Sequence, residues 1–175
     1  MDWTIDGLRA AGFVGFVPFV QVAKAAPEGP GVYAVVRAPS APPAFLDVSP
    51  AGRFKGKDPS YSLATLQRNW IDGAEVLYLG KADRSEGTSR GLRARLTEYA
   101  RFGAGDPIGH TGGKAIWHLV GRDELYIAWR VTADGDSAEA VETALLTAFL
   151  NDHHDRLPFA NMKRPKGMRL HRPHR

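Results

Sequence analysis

The sequence predicts an α/β domain of the α+β kind: a small, mainly antiparallel sheet of three strands flanked by helices, with an N-terminal extension and an insertion after the first strand. Three observations carry this. Short apolar runs rich in β-branched and aromatic residues stand near 31–37, 76–81 and 125–131. Stretches near 91–102 and 137–151 instead repeat their apolar residues at helical spacing. A chain of 175 residues with 43% apolar and 24% charged residues suits one domain with a full core, so 1–175 is read as a single unit.

Residues 1–27 form the extension. Phe13, Val14, Phe16, Val17, Phe19 and Val20 are too apolar to be exposed together, so the segment is expected to pack as a helix and then a strand around Pro18. The turn signal Pro27-Glu28-Gly29-Pro30-Gly31 releases the first core strand, Val32 to Arg37, in which Tyr33 faces away from Val32. Residues 38–74 hold six prolines and glycines in the first half and a short helical run from Ser62 to Trp70. A connection of that length inside a domain reads as an insertion. Its basic tip, Arg53, Lys55 and Lys57, admits two readings, a nucleic-acid contact or a solvated loop.

Val76 to Lys81 is a strand that runs into a polar loop over 83–90. From Gly91, Leu92, Leu96 and Tyr99 recur at helical spacing, and Arg95 lies four residues before Tyr99 on the same face. A loop with His110 follows, then the strand 125–131 and a helix opened by Ser137. Within that helix Glu142 shares a face with Leu145 and Leu146. A carboxylate against an apolar stripe is costly unless a cation or hydrogen bonds compensate it. A divalent metal and a salt bridge to an arginine such as Arg95 both meet the need, with Glu139 as the competing acid. After the helix, Leu157 to Asn161 returns the chain, and Asn161 reads either as a loop amide or as a ligand of a phosphate or metal shell.

Composition narrows the function classes. Without cysteine there are no disulfides, no thiol catalysis and no cysteine-ligated zinc, which fits a reducing, cytoplasmic setting. The uncharged run Ala10–Ala23 is shorter than the roughly 18 residues of a spanning helix, and Asp2 and Asp6 precede it rather than a basic leader. No membrane partner or secretory signal is expected. Of the net charge of +4, residues 163–175 supply +6 through Lys163, Arg164, Lys166, Arg169, Arg172 and Arg175, leaving the first 162 residues at −2. Such a tail reads as a phosphate-backbone contact or as a solvated terminus. His153 and His154 point about 100° apart on a helix, a poor arrangement for a shared metal. Phosphate-loop, HExxH and GxSxG motifs are absent.

Seven positions taken in order, Gly31-Val32-Tyr33, Tyr78-Leu79-Gly80, Lys81, Arg95, Tyr99, Glu142 and Asn161, resemble the GIY-YIG nuclease superfamily. Val32 and Leu79 stand where isoleucine is usual, Tyr99 stands where members carry histidine or tyrosine, and the long gap between Tyr33 and Tyr78 resembles the restriction-enzyme-like branches. The resemblance implies a metal-dependent endonuclease that hydrolyses DNA phosphodiester bonds, RNA not being excluded, as a monomer or homodimer. It implies one divalent ion, Mg²⁺ or Mn²⁺, on Glu142, with Tyr33 as general base. Tyr78 and Tyr99 would place the water or phosphate, and Lys81 and Arg95 would supply positive charge. Asn161 would orient the phosphate or the metal shell. His110, Lys163, Arg164, Lys166 and Arg169 are the expected nucleic-acid contacts. The alternative is a module of the same fold that binds nucleic acid without cutting it.

Overall fold

The structure, a computed structural model, describes residues 1–38, 42–83, 91–110, 112–133 and 135–164. It is a mixed α/β arrangement around an antiparallel sheet of four strands, β1 (Val14–Pro18), β2 (Gly31–Val36), β3 (Val76–Ala82) and β4 (Tyr126–Val131), in the order β1-β4-β2-β3. The helices are α1 (Ile5–Ala10), α2 (Val22–Ala25), α3 (Leu63–Asn69), α4 (Leu92–Gly103) and α5 (Ala138–Asp152).

The count of three strands is corrected to four. The extension supplies a helix as well as the extra strand β1, which pairs with β4. The helix and the strand expected around Pro18 are both present, and the structure shows what the glycines and proline do there. Gly15 has φ 96° and Phe16 φ 52°, and the register slips between Gly15 and Val17, a bulge that bends the outer strand. Any side chain at Gly15 would meet the Trp129 ring, its Cβ lying 2.5 Å from Cη2. Pro18 is tolerated at the end of β1 because β1 is an edge strand.

Apolar residues alternate along β2 and so fill two cores. Tyr33 and Val35 face α4 together with Leu92, Leu96, Tyr99, Phe102 and Trp117. Val32, Ala34 and Val36 face the other side, where Leu145, Leu146 and Phe149 of α5 and Leu8 of α1 close over them. All six β2 residues are buried, as expected of the strand with neighbours on both sides.

The insertion is not a detached loop. Leu66 of α3 is fully buried, and Trp70 packs edge-on against Phe45 and Phe159 at 5.9 and 5.2 Å. His118 ties it down. Its Nδ1 lies 2.7 Å from the Leu46 carbonyl and its Nε2 accepts the Tyr61 N–H at 3.0 Å. That combination selects the neutral tautomer with the proton on Nδ1. The basic tip is exposed, with Arg53 paired to Asp58 at 3.0 Å.

Candidate functional site

The sheet register builds the site. Tyr33 lies opposite Gly80, and Tyr78 opposite Val35, so both tyrosines project to the α4 face. A bulge makes this possible: Val36 pairs with Val76 and Val35 with Tyr78, leaving Leu77 as the extra residue that re-aims Tyr78. Tyr99 comes from α4, and the three rings form a near-equilateral cluster with centroids 5.9, 6.3 and 5.9 Å apart. Glycine is required beneath it. A Cβ on Gly80 would lie 2.6 Å from Tyr33 Cζ and 2.7 Å from its hydroxyl, while one on Gly112 or Gly113 would overlap the hydroxyl of Tyr78 or Tyr99. Tyr99 donates its hydroxyl proton to the Gly113 carbonyl at 2.7 Å.

Tyr33 is different. Its hydroxyl is fully enclosed and no described group meets it with full hydrogen-bond geometry. Burial raises its pKa above the usual 10.0, the Arg95 guanidinium opposes that, and the Glu142 carboxylate adds to it. Burial also holds Tyr78 and Tyr99 well above their usual range, reinforced by the neighbouring tyrosines. Arg93, the other arginine near this helix start, is committed elsewhere: its Nε donates to the Ala26 carbonyl at 2.7 Å and its Nη1 pairs with Glu28 at 2.7 Å. Arg95 is therefore the cation that acts on the tyrosines.

Across β3, Lys81 pairs in register with Val32 and so belongs to the α5 side, where its Nζ meets Asp83 at 2.5 Å and Glu139 at 3.6 Å. Glu142 follows Glu139 by one turn of α5. It makes no ion pair with any described residue, so the salt bridge to Arg95 weighed from the sequence is not formed. Burial pushes its carboxyl up from 4.5 to about 7, Asp83 and Glu139 push the same way, and Lys81 and Arg95 oppose them. Glu142 and Tyr78 line one cavity of about 660 Å³, shared with Tyr61, Lys114, Asn161, Lys163 and Arg164. Lys81 and Arg95 line a second cleft of about 260 Å³.

A divalent cation fits this donor set in one respect and not in another. No group of three or more metal-ligating side chains exists among the described residues. Yet Glu142 is a desolvated carboxylate among like charges, which a cation would relieve, and Mg²⁺ uses few protein carboxylates and keeps much of its water.

Asn161 is fully engaged by the backbone of β3. Its Oδ1 accepts the Leu79 N–H at 2.9 Å and its Nδ2 donates to the Leu79 carbonyl at 2.8 Å, as a neighbouring strand would. Ala160 N–H adds a bond to the Leu77 carbonyl at 2.8 Å. The side chain lines the cavity, but its amide holds the strand that carries Tyr78 and Lys81. Asn161→Asp replaces a donor with an acceptor facing a carbonyl, and urea unfolding is expected to show a loss of about 1–3 kcal/mol.

His110 needs correction as a nucleic-acid contact. It is 2% exposed and stacks on Tyr99 at 4.2 Å with rings 7° apart, so it presents no surface to a substrate. Burial, with the charge of Arg95, lowers its pKa to about 3 and keeps it neutral. Lys163 and Arg164 do border the cavity, whereas Lys166 and Arg169 lie outside the described residues. His153 stacks on Phe149 at 3.8 Å, and His154 lies beyond the helix with φ 51°. Asp83, Lys114 and Tyr61 were missed from the sequence. Asp83, two residues after Lys81 on an exposed strand end, was the one with a local signal.

Comparison with family models, with curated proteins and with solved structures returns no match. The family likeness rests on the order of residues in the sequence alone. Among the described residues no helix is long and apolar enough to cross a membrane.

Proposed function

We propose that the protein is a metal-dependent endonuclease of the GIY-YIG type that hydrolyses DNA phosphodiester bonds. The observation that supports this best is Glu142, a carboxyl raised to about 7 on the same cavity as Tyr78, whose charge is felt at the Tyr33 hydroxyl. A half-buried carboxyl raised this far on a cavity wall is the kind of group that functional sites carry. Glu142 would hold a divalent cation, Mg²⁺ or Mn²⁺, which would supply charge for the departing 3′-oxygen.

The chain's own residues do the rest. Tyr33 acts as the phenolate, its own proton having passed to solvent, and accepts the proton of the attacking water as the new P–O bond forms and the bond to the 3′-oxygen breaks, leaving a 5′-phosphate. Burial and the Glu142 carboxylate both resist its ionisation, and Arg95 favours it. Any cation that neutralises Glu142 removes one of the two obstacles. Arg95 then meets the negative charge that develops on the phosphoryl oxygens. Tyr78 orients the water or phosphate from the cavity wall, and Tyr99, whose proton is committed to Gly113, fixes the ring cluster. Lys81, held by Asp83 and Glu139, contributes positive potential beside Glu142. Asn161 positions β3. A cytoplasmic location and a monomer or homodimer fit this reading, with RNA as a further substrate to be assayed.

Supercoiled plasmid incubated with the protein and Mg²⁺ is expected to become nicked or linear, and Arg95→Ala to slow this by about 10²–10³-fold. Plasmid that stays supercoiled while shifted in a gel would overturn the reading in favour of a module that binds without cutting.

A further inference from the structure

A second basic depression adjoins the cavity of Glu142, about 280 Å³ in volume, lined by Arg68 of α3, by Arg156 and Arg164, and by Asn161 and Met162. Asn161, Met162 and Arg164 belong to both, so the two hollows are continuous across one short segment. Arg156 and Arg164 lie 88 and more positions beyond Arg68, and only the fold groups them.

Two of the guanidinium groups are fixed in advance. Arg156 uses Nη2 to hold the Arg68 and Trp70 carbonyls at the end of α3, both at 2.8 Å. Arg164 grips Asp155 with two nitrogens, Nη1 at 2.9 Å and Nη2 at 2.7 Å, and Nη2 also reaches the Asp155 carbonyl at 2.9 Å. Each guanidinium has five N–H donors, so both retain donors beyond these bonds. Arg68 is exposed, and its side chain has no bond to a described residue. Asp155 is the one acid lining the depression and is already used by Arg164, leaving a surplus of positive charge. The chain enters this arrangement through two successive non-glycine residues in the left-handed region, His154 at φ 51° and Asp155 at φ 64°, a conformation retained where the surroundings impose it.

The geometry points to a phosphate subsite: Arg68, Arg156 and Arg164 receive a backbone phosphate of the nucleic-acid strand, flanking the phosphate to be cleaved at Glu142. This rests on the nuclease reading for the identity of the ligand. Preorganised, partly satisfied guanidinium forks suit a phosphodiester better than mobile lysines do, and the two hollows share Asn161, Met162 and Arg164, so one strand can run from one to the other.

The test uses a non-cleaving background, Glu142→Gln, with a fluorescein-labelled duplex read by anisotropy over a series of salt concentrations. Arg68→Gln is the chosen variant, because Arg68 anchors nothing through its side chain. Lys57→Gln on the insertion tip is the control. Arg68→Gln is expected to weaken binding several-fold and to reduce the slope of log affinity against log salt by about 0.9, with Lys57→Gln unchanged. In the cleaving protein, Arg68→Gln should raise KM and leave kcat unaltered. An unaltered slope and KM in Arg68→Gln, with a parent that binds and cuts, would overturn the subsite and leave the nuclease reading standing. A parent with no affinity for the duplex and no cleavage would overturn both.

Discussion

Glu142→Gln is expected to abolish plasmid cleavage, by about 10³-fold or more, while making the protein more stable than the parent at pH 8. The two effects have one cause. The carboxyl titrates near 7 in the folded protein and near 4.5 when unfolded, because folding takes it out of water and places it among Asp83 and Glu139. A raised acid pKa means the folded state prefers the protonated form. Stability is therefore highest below 4.5 and declines as pH rises from there to about 7, above which the deficit is constant. Since the group is only partly buried, the deficit is discounted to on the order of 1–2 kcal/mol. Glutamine carries no charge and escapes it. Urea midpoints of the two proteins should coincide near pH 4 and separate by pH 8. Millimolar Mg²⁺ should raise the parent's midpoint at pH 8 and leave that of the variant alone. A parent that equals the variant at pH 8 would show that the carboxylate is not under strain.

Gly80→Ala is expected to be strongly damaging to the tyrosine cluster. The new methyl would lie 2.6–2.9 Å from Tyr33 Cζ, Tyr33 Oη and Tyr78 Cε1, and Tyr33 is fully buried. Overpacking of this kind costs about 1–3 kcal/mol. Because the atoms displaced are the Tyr33 hydroxyl and its neighbour, the loss of cleavage should exceed what instability explains, by about 10²-fold for a shift near 1 Å. Gly121→Ala is the control: its methyl would meet the flexible end of Glu124 at 3.4 Å, and stability should change by less than about 0.5 kcal/mol. Thermal melts and plasmid cleavage at a temperature where both variants are folded separate the two effects.

What the sequence revealed followed from local periodicity. The strands β2, β3 and β4 are legible because each is a short run of β-branched and aromatic residues, and α4 and α5 because their apolar residues recur at helical spacing. β1 was harder. A strand around Pro18 could be expected, but not its pairing with β4 nor the bulge at Gly15 and Phe16 that lets it run past Trp129. The order of the candidate site residues could be read, but not their partners. Nothing local says that Asn161 binds the Leu79 backbone, since 82 residues separate them. Likewise the pairing of Lys81 with Glu139 follows from a register that puts Lys81 on the α5 side of the sheet. His110 misled for a related reason: glycine neighbours suggest an exposed loop, whereas the loop folds back and buries the ring on Tyr99.

The borders of the sheet have a further consequence. On one side the bulge and Pro18 spoil the backbone of β1 as a template, and on the other the carboxamide of Asn161 and the N–H of Ala160 occupy the groups that β3 would offer a newcomer. Strand addition from a second copy is thereby discouraged at both ends, so growth into fibrils finds no ready starting point in the folded molecule.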